Sequence, residues 1–170
     1  YGPCAFMDTY DPKTVFSSID QLGRYAYDNQ PKITKWNLTR FAECLIPLIS
    51  KNEDEAINLA TAALDKFEQS YETKWLNMMR DKLGLYGEDK DDKNLIMELL
   101  NWMQKKKVDY TNTFIFLMNK TIKNSEVYDN ADFDLWKIKW VKRLTMFDNS
   151  HGKSMKLMNS SNPMVIPRNH

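Results

Sequence analysis

The chain has 170 residues, enough for one domain of ordinary size with its own hydrophobic core. Its 24 lysine and arginine residues nearly balance its 23 aspartate and glutamate residues, which leaves a net charge of +1. That balance excludes a protein that holds nucleic acid mainly through excess positive charge. Hydrophobic residues make up 42% of the chain and charged residues 28%, as is usual for soluble globular proteins.

The sequence carries no signal for a membrane span, a secreted protein or a zinc site. No stretch is apolar over about 18 residues, and no basic and then apolar leader is visible. The cysteines, Cys4 and Cys44, are far apart, and the histidines, His151 and His170, lie near the C-terminal end. A zinc site or a Cys–His nucleophile therefore has no support. We expect a cytoplasmic protein in which Cys44 is a small buried hydrophobe.

The N-terminal segment is irregular but rich in aromatic residues. Prolines and glycines interrupt any helical pattern as far as Pro31. A loop of this length is rare in a compact domain unless it is functional or disordered, and the aromatic content argues against disorder. We expect residues 1–33 to form an ordered loop packed on a helical body. The apolar side chains expected to be buried there are Tyr1, Phe6, Met7, Tyr10, Val15, Phe16, Ile19, Tyr25 and Tyr27.

Arg24 stands out in this loop because it lies among aromatic residues and the carboxylates of Asp8, Asp11, Asp20 and Asp28. A guanidinium in such a setting has two uses. It anchors the loop by pairing with an aspartate, or it binds a phosphate in the same bidentate geometry. The sequence leaves both alternatives open.

Helical patterns follow the loop. A helix beginning near Thr34 is apolar on more than one face, which predicts a central and largely buried helix. Pro47 is expected to kink or end its last turn. A long amphipathic pattern then covers residues 56–83, and Gly84 is predicted to stop it.

The acidic run at residues 87–93 has the composition of a calcium-binding loop but not its pattern. An EF-hand that began at Asp89 would need glycine at its sixth position and glutamate at its twelfth, where Asn94 and Leu100 stand. A solvated turn before the next helix is the better interpretation. That helix ends in three lysines, which suit the negative end of the helix dipole.

Two more helical patterns follow. Asp109 is predicted to be the N-cap of the first of them. The second carries Trp136 and Trp140, with lysines between them that would allow stacking on nucleic acid bases. Their separation of four residues, however, favours a place in the core. Residues 148–170 are rich in asparagine, serine and lysine, and composition alone predicts a linker.

Several motifs resemble, in order and spacing, the selenoprotein O (YdiU) family of protein adenylyltransferases, which have a pseudokinase fold. The N-terminal motifs are Tyr1-Gly2-Pro3, Phe6-Met7-Asp8, Tyr10-Asp11-Pro12, Gly23-Arg24-Tyr25, Asn29-Gln30-Pro31 and Trp36-Asn37-Leu38. The C-terminal motifs are Asn162-Pro163 and Pro167-Arg168-Asn169-His170. The match is strong at both ends and weak across roughly residues 50–150.

The resemblance implies an all-α fold, a helical lobe similar to the C-lobe of a protein kinase with a long ordered N-terminal loop. Residues 1–33 would be an activation-loop-like segment, residues 34–147 the helical lobe, and residues 148–170 a tail that packs on the lobe. The chain would be the C-terminal part of a longer enzyme. The aspartate that plays the metal-binding part of a kinase Asp-Phe-Gly motif would immediately precede Tyr1.

The resemblance also implies transfer of AMP from ATP, with Mg or Mn, to serine, threonine or tyrosine hydroxyls of proteins. The isolated chain is expected to bind no ATP or metal and to be inactive, because the catalytic residues would lie upstream. The residues expected next to the active site or on a substrate platform are Tyr1, Gly2, Pro3, Arg24, Tyr25, Asn29 and Gln30.

The implied partners are protein substrates and the upstream lobe of the same chain, with a homodimer of the isolated chain also expected. Neither nucleic acid nor a membrane is an expected partner. Two alternatives stay open: a non-catalytic helical interaction module, and a catalytically retired pseudokinase relative.

Overall fold

The computed structural model describes residues 6–122, 125–147 and 151–167. The chain divides into two compact units. The larger unit comprises Tyr1–Asp11 and Leu76–His170, and the smaller unit comprises Pro12–Trp75.

In the smaller unit, a 3₁₀ turn at Tyr27–Asn29 leads directly into helix α1, Gln30–Ile49. The predicted start near Thr34 is late by about one turn, because Pro31 lies in the first turn of the helix. A proline is tolerated there, since the first N–H groups of a helix have no acceptor within it. Pro47 lies inside the helix near its C-terminal end, and the helix continues past it.

Helix α1 is mostly exposed, which corrects the prediction of a central, buried helix. Ile33 is buried, but Phe41 is 61% exposed and Leu48 is 81% exposed. Cys44 is exposed too, so its predicted burial is also wrong; its thiol donates to the carbonyl of Arg40 (3.3 Å). The periodicity of apolar residues shows that a helix has apolar faces, but it does not show whether this chain supplies a surface to cover them.

Helix α2, Glu53–Leu83, ends at the predicted residue. At its start, the side chain of Asn52 accepts a hydrogen bond from the N–H of Glu55 (3.1 Å), as a capping residue does. At its end, Gly84 has a φ of 69°, the left-handed conformation that glycine adopts most readily, and the predicted stop is confirmed. A Cβ atom at Gly84 would lie 2.9 Å from Cγ of Met158, so close packing also requires glycine there.

The larger unit contains the last turns of α2 and the remaining helices. These are α3 (Asp92–Lys106), α4 (Tyr110–Leu117), the 3₁₀ helix Ser125–Tyr128, α5 (Ala131–Phe147) and α6 (His151–Ser161). The predicted N-cap is confirmed, because the Asp109 carboxylate accepts from the N–H of Asn112 (2.7 Å). The all-α prediction is confirmed as well: the described residues form helices and turns, with a single isolated bridge between Thr9 and Asp109.

Aromatic rings fill the core of the larger unit. Phe133, Trp136 and Trp140 are buried, and the two indoles stack with their ring centroids 5.9 Å apart. The indole N–H of Trp136 donates to the carbonyl of Leu95 (2.8 Å), and that of Trp140 donates to the carbonyl of Leu83 (2.9 Å). Both polar atoms are thus satisfied inside the core. The prediction that these tryptophans belong to the core is confirmed.

The N-terminal loop divides between the two units. In the larger unit, Met7 and Tyr10 are buried as predicted, and the N–H of Tyr10 donates to the carbonyl of Val108 (2.9 Å). In the smaller unit, Ile19 is 90% exposed, so its predicted burial is wrong. The same correction applies to Phe6, Val15 and Tyr25, which are exposed.

Helix α6 lies in the tail, where composition alone predicts a linker. Its Met158 is fully buried. The side-chain amide of Asn162, just beyond the helix, donates to the carbonyls of Lys82 and Met158 (both 2.9 Å). Asparagine and serine are poor helix formers, so these tertiary contacts account for the helix better than propensity does.

Among the described residues, none of the helices is both long and apolar enough to cross a lipid bilayer.

Candidate functional site

The predicted site residues that the structure describes lie in the smaller unit. Arg24, Tyr25 and Asn29 come together in residues 20–29, which we call the Arg24 turn. Gln30 is the first residue of α1, and its carbonyl accepts from the hydroxyl of Thr34 (2.7 Å). The other three predicted residues, Tyr1, Gly2 and Pro3, lie outside the described residues.

Asp20 organises the Arg24 turn. Its carboxylate accepts hydrogen bonds from the backbone N–H groups of Arg24 (2.8 Å) and Tyr25 (2.7 Å). The side-chain amide of Asn29 donates to the carbonyl of Arg24 (2.6 Å). Gly23 supplies the left-handed backbone conformation of the turn, with a φ of 67°. The main chain of Arg24 is therefore held on both sides.

The side chain of Arg24 lies over an aromatic ring of α1. Its Cζ atom is 4.5 Å from the ring centroid of Trp36 and 5.9 Å from that of Tyr25. Arg40 approaches the same indole, with Cζ 5.6 Å from the centroid, and also pairs with Glu43. Trp36 remains 48% exposed. We call Arg24, Tyr25, Trp36 and Arg40 the Arg24–Trp36 patch.

The geometry distinguishes the two alternatives for Arg24, which are pairing with an aspartate of the loop and binding of a phosphate. Asp20 engages the backbone of the turn with both carboxylate oxygens. Within the part of the chain that the structure describes, no carboxylate forms an ion pair with the Arg24 guanidinium, whose described contacts are aromatic. Anchoring of the loop through an aspartate–guanidinium pair is therefore wrong. Binding of a phosphate by this side chain stays a prediction.

The sequence predictions leave Asp20, Trp36 and Arg40 out of the site. Asp20 begins an Asp-x-x-Gly segment, a common turn pattern, and this signal identifies it in retrospect. Trp36 belongs to an apolar helical pattern, which is more typical of a core residue. Its contact with Arg24 depends on how the turn joins α1, and no spacing rule shows that contact.

A buried charge cluster in the larger unit is the strongest electrostatic feature of the described residues. Asp92 receives hydrogen bonds from Nε of Arg80 and Nε of Arg143 (both 2.7 Å) and from the N–H of Asp89 (3.0 Å). Arg143 also donates to the carbonyl of Tyr86 (2.9 Å). Burial by itself raises the pKa of Asp92, but these hydrogen bonds outweigh it and hold the pKa below the ordinary 3.8.

The charge cluster serves the fold. It connects α2, α3 and α5 with the loop between α2 and α3, and its arginine side chains are 9% and 7% exposed. Removal of Asp92 would leave the two buried guanidiniums without the buried carboxylate that they share.

Lys82 is a further buried charge in the same unit, outside the charge cluster. It is 8% exposed, and its Nζ atom lies 4.4 Å from the ring centroid of Phe114 and 5.4 Å from that of Tyr110. Burial lowers the pKa of Lys82 from 10.5 to about 8. The aromatic faces offset part of the cost of burying the ammonium. No carboxylate pairs with this ammonium within the described ranges.

Comparison with known proteins identifies relatives along the whole chain. A family model described as "Protein adenylyltransferase SelO" matches residues 1–170. The chain is 88% identical over 170 residues to a protein nucleotidyltransferase YdiU of Pelagibacter ubique, covering 100% of this chain and 35% of that relative. Relatives of the same name in Nitrosococcus oceani and Alkaliphilus metalliredigens are 50% and 52% identical, again over all of this chain, with 34% and 35% of their own lengths covered.

Proposed function

Because the chain belongs to the SelO family of protein adenylyltransferases, we propose that it forms the C-terminal helical part of a longer enzyme that transfers AMP to proteins. The match of the family model over residues 1–170 carries this proposal. The chain spans about 35% of the length of the curated relatives that it matches, so the activity is assigned to the longer protein. A cytoplasmic location is part of the proposal.

The proposed reaction is a nucleotidyl transfer. A serine, threonine or tyrosine hydroxyl oxygen attacks the α-phosphorus of ATP and forms a new O–P bond. The bond from that phosphorus to the oxygen bridging to the β-phosphate breaks, pyrophosphate leaves, and the hydroxyl proton passes to a base or to water. Positioning and electrostatic stabilisation supply most of the catalysis in such reactions.

The described residues do not fit a metal site, since they contain no group of three or more His, Cys, Asp or Glu side chains placed to hold an ion. By the resemblance, ATP and Mg or Mn are bound by residues that precede Tyr1 in the longer protein.

We propose that this chain contributes to the reaction by positioning the protein substrate. The Arg24 turn is held by Asp20 and Asn29 and presents Arg24 and Tyr25 at an exposed surface. Gln30 begins α1 directly after it. We propose that the turn and the start of α1 form a platform on which the protein substrate lies.

The first prediction concerns AMP transfer itself. We call a polypeptide of the relatives' length that contains these 170 residues the full-length protein. It is expected to transfer labelled AMP from ATP to a generic protein acceptor or to itself. The isolated chain is expected to transfer none. Gel autoradiography of both proteins side by side is the measurement. Absence of label from the full-length protein would favour a catalytically retired relative, and label from the isolated chain would contradict the assignment of catalysis to upstream residues.

The exposed apolar residues of α1 support a further part of the proposal. Phe41 and Leu48 lie on a helix on which Ile33 is the only buried side chain among the described residues. Exposed apolar surface of this kind marks an interaction site. We propose that the part of α1 that carries Phe41 and Leu48 packs against the preceding lobe in the longer protein, and that two isolated chains associate through the same residues. The same exposure favours a helical interaction module as the second candidate function.

The second prediction tests this association. In sedimentation velocity, the isolated chain is expected to dimerise as its concentration rises, and a variant with Phe41→Ser and Leu48→Ser is expected to stay monomeric, because the buried apolar area is lost. Val165→Ser is the matched control, because it removes another exposed apolar side chain from the larger unit. Monomeric behaviour of the unchanged chain at high concentration, or loss of the dimer in the control, would contradict this proposal.

A further inference from the structure

The guanidinium of Arg24 is held in place before any ligand arrives. Asp20 and Asn29 fix the main chain on both sides of Arg24, and Trp36 supports one face of its side chain. Arginine loses much rotamer freedom when it binds a ligand from solution, and a stacked guanidinium has already lost part of it. Arg24 is also exposed. Its N–H donors are therefore both positioned and accessible.

We propose that the Arg24–Trp36 patch binds an acidic segment of the protein substrate, with a carboxylate of that segment on the Arg24 guanidinium. This inference rests on the proposed function and names the chemistry of its substrate. A guanidinium and a carboxylate match in a planar, bidentate geometry, which is among the stronger charge-assisted hydrogen bonds. Trp36 and Tyr25 supply the apolar contact surface beside it.

A carboxylate fits this patch better than a phosphate group does. Phosphate sites in loops are usually built from several free backbone N–H groups that point at the anion. Here the N–H groups of Arg24 and Tyr25 both donate to Asp20. Those of the four residues that follow also donate within the turn or to residues 12–14. The charge of Arg40 is partly offset by its exposed ion pair with Glu43, so Arg24 supplies most of the positive charge of the patch, which suits an anion of low charge.

The composition of the patch points to a protein as the ligand. Tryptophan, tyrosine and arginine are the residues most enriched among the energetic hot spots of protein interfaces. Here the three residue types are neighbours on an exposed surface of one compact unit. Trp36 and Tyr25 keep 48% and 36% of their surface exposed, so a peptide chain has apolar area to cover on both sides of the charge.

Fluorescence anisotropy of labelled peptides on the full-length protein tests the proposal without requiring activity. The probe is a peptide with one serine flanked by glutamates, and its partner has glutamines in their place. The acidic peptide is expected to bind about tenfold more tightly than the glutamine peptide. Arg24→Ala is expected to abolish that difference, and Arg24→Lys to restore only part of it, because lysine keeps the charge but loses the planar fork.

Lys66→Ala is the matched control, since it removes an exposed positive charge from the same unit. It is expected to leave the preference for the acidic peptide intact. Circular dichroism and the thermal midpoint of each variant show that the fold is retained. An acidic preference that survives in Arg24→Ala, or that is lost equally in Lys66→Ala, would overturn the proposal. Displacement of the acidic peptide by inorganic phosphate or ATP at equal concentration would overturn it in favour of a phosphate site.

Transfer of labelled AMP to the same two peptides separates this proposal from the proposed function. If both hold, the unchanged protein labels the acidic peptide faster, and Arg24→Ala removes that advantage. If no acceptor is labelled but the acidic peptide still binds through Arg24, the proposed function fails and the binding site stands. If labelling is equal for both peptides and binding shows no dependence on Arg24, the proposed function stands and this inference fails.

Discussion

Replacing Asp92 with asparagine is expected to lower the free energy of unfolding of the larger unit by about 3–5 kcal/mol. Asparagine keeps the shape of the side chain but removes its charge. The guanidiniums of Arg80 and Arg143, 9% and 7% exposed, would then face no buried carboxylate. Urea unfolding followed by tryptophan fluorescence is the measurement, because Trp136 and Trp140 are buried in the same unit.

The control for Asp92→Asn is Asp81→Asn, an exposed aspartate of α2 in the same unit, for which a change within about 0.5 kcal/mol is expected. The pH dependence gives an independent check. The pKa of Asp92 is lower in the folded protein than its ordinary value of 3.8, so its contribution is present above that value and is lost as the pH falls through the folded-state pKa. Equal stability of Asp92→Asn and the unchanged chain at pH 7 would contradict the role given to the charge cluster.

Replacing Lys82 with methionine is expected to have the opposite effect. It should raise the free energy of unfolding of the larger unit by about 1–3 kcal/mol at pH 7. Methionine is similar in length, and it can pack on the rings of Phe114 and Tyr110 without a buried ammonium. The loss of the ammonium–aromatic attraction reduces the gain but does not cancel it. Urea unfolding over a range of pH values is the measurement.

The pH dependence of the free energy of unfolding identifies the cause of the stabilisation by Lys82→Met. Burial lowers the pKa of Lys82 to about 8 in the folded protein, whereas the unfolded chain titrates near 10.5. Between these values the unfolded state binds more protons, so the stability of the unchanged chain rises with pH. The advantage of Lys82→Met is therefore expected to be constant below about pH 8 and to shrink above it. Lys142→Met, at an exposed site of the same unit, should show no such slope, and a pH-independent gain from Lys82→Met would refute the explanation.

Local patterns in the sequence predicted much of the fold. The end of α2 at Gly84, the N-cap at Asp109 and the core positions of Trp136 and Trp140 all follow from a backbone conformation, a hydrogen bond or a period that a few neighbouring residues define. The start of α1 was missed by one turn, because a proline is compatible both with a loop and with the first turn of a helix.

The candidate site was only partly visible in the sequence. The family motifs predict site roles for Arg24, Tyr25, Asn29 and Gln30, and three of these meet in one turn. The role of Asp20 as the organiser of that turn and the stacking of Arg24 on Trp36 were not predicted. Both depend on side-chain directions that are set only once the turn and α1 are joined.

By itself, then, the sequence determined the family, the all-α class and the ends of several helices, because motifs, caps and periodicity are properties of neighbouring residues. The tertiary structure alone decided which apolar faces are covered, as the exposed Phe41 of α1 and the buried Met158 of the predicted linker demonstrate. It also decided which groups contact each charged side chain: two arginines pair with Asp92, and the indole of Trp36 stacks with Arg24. Burial and charge pairing depend on residues far apart in the chain, and only folding brings those residues together.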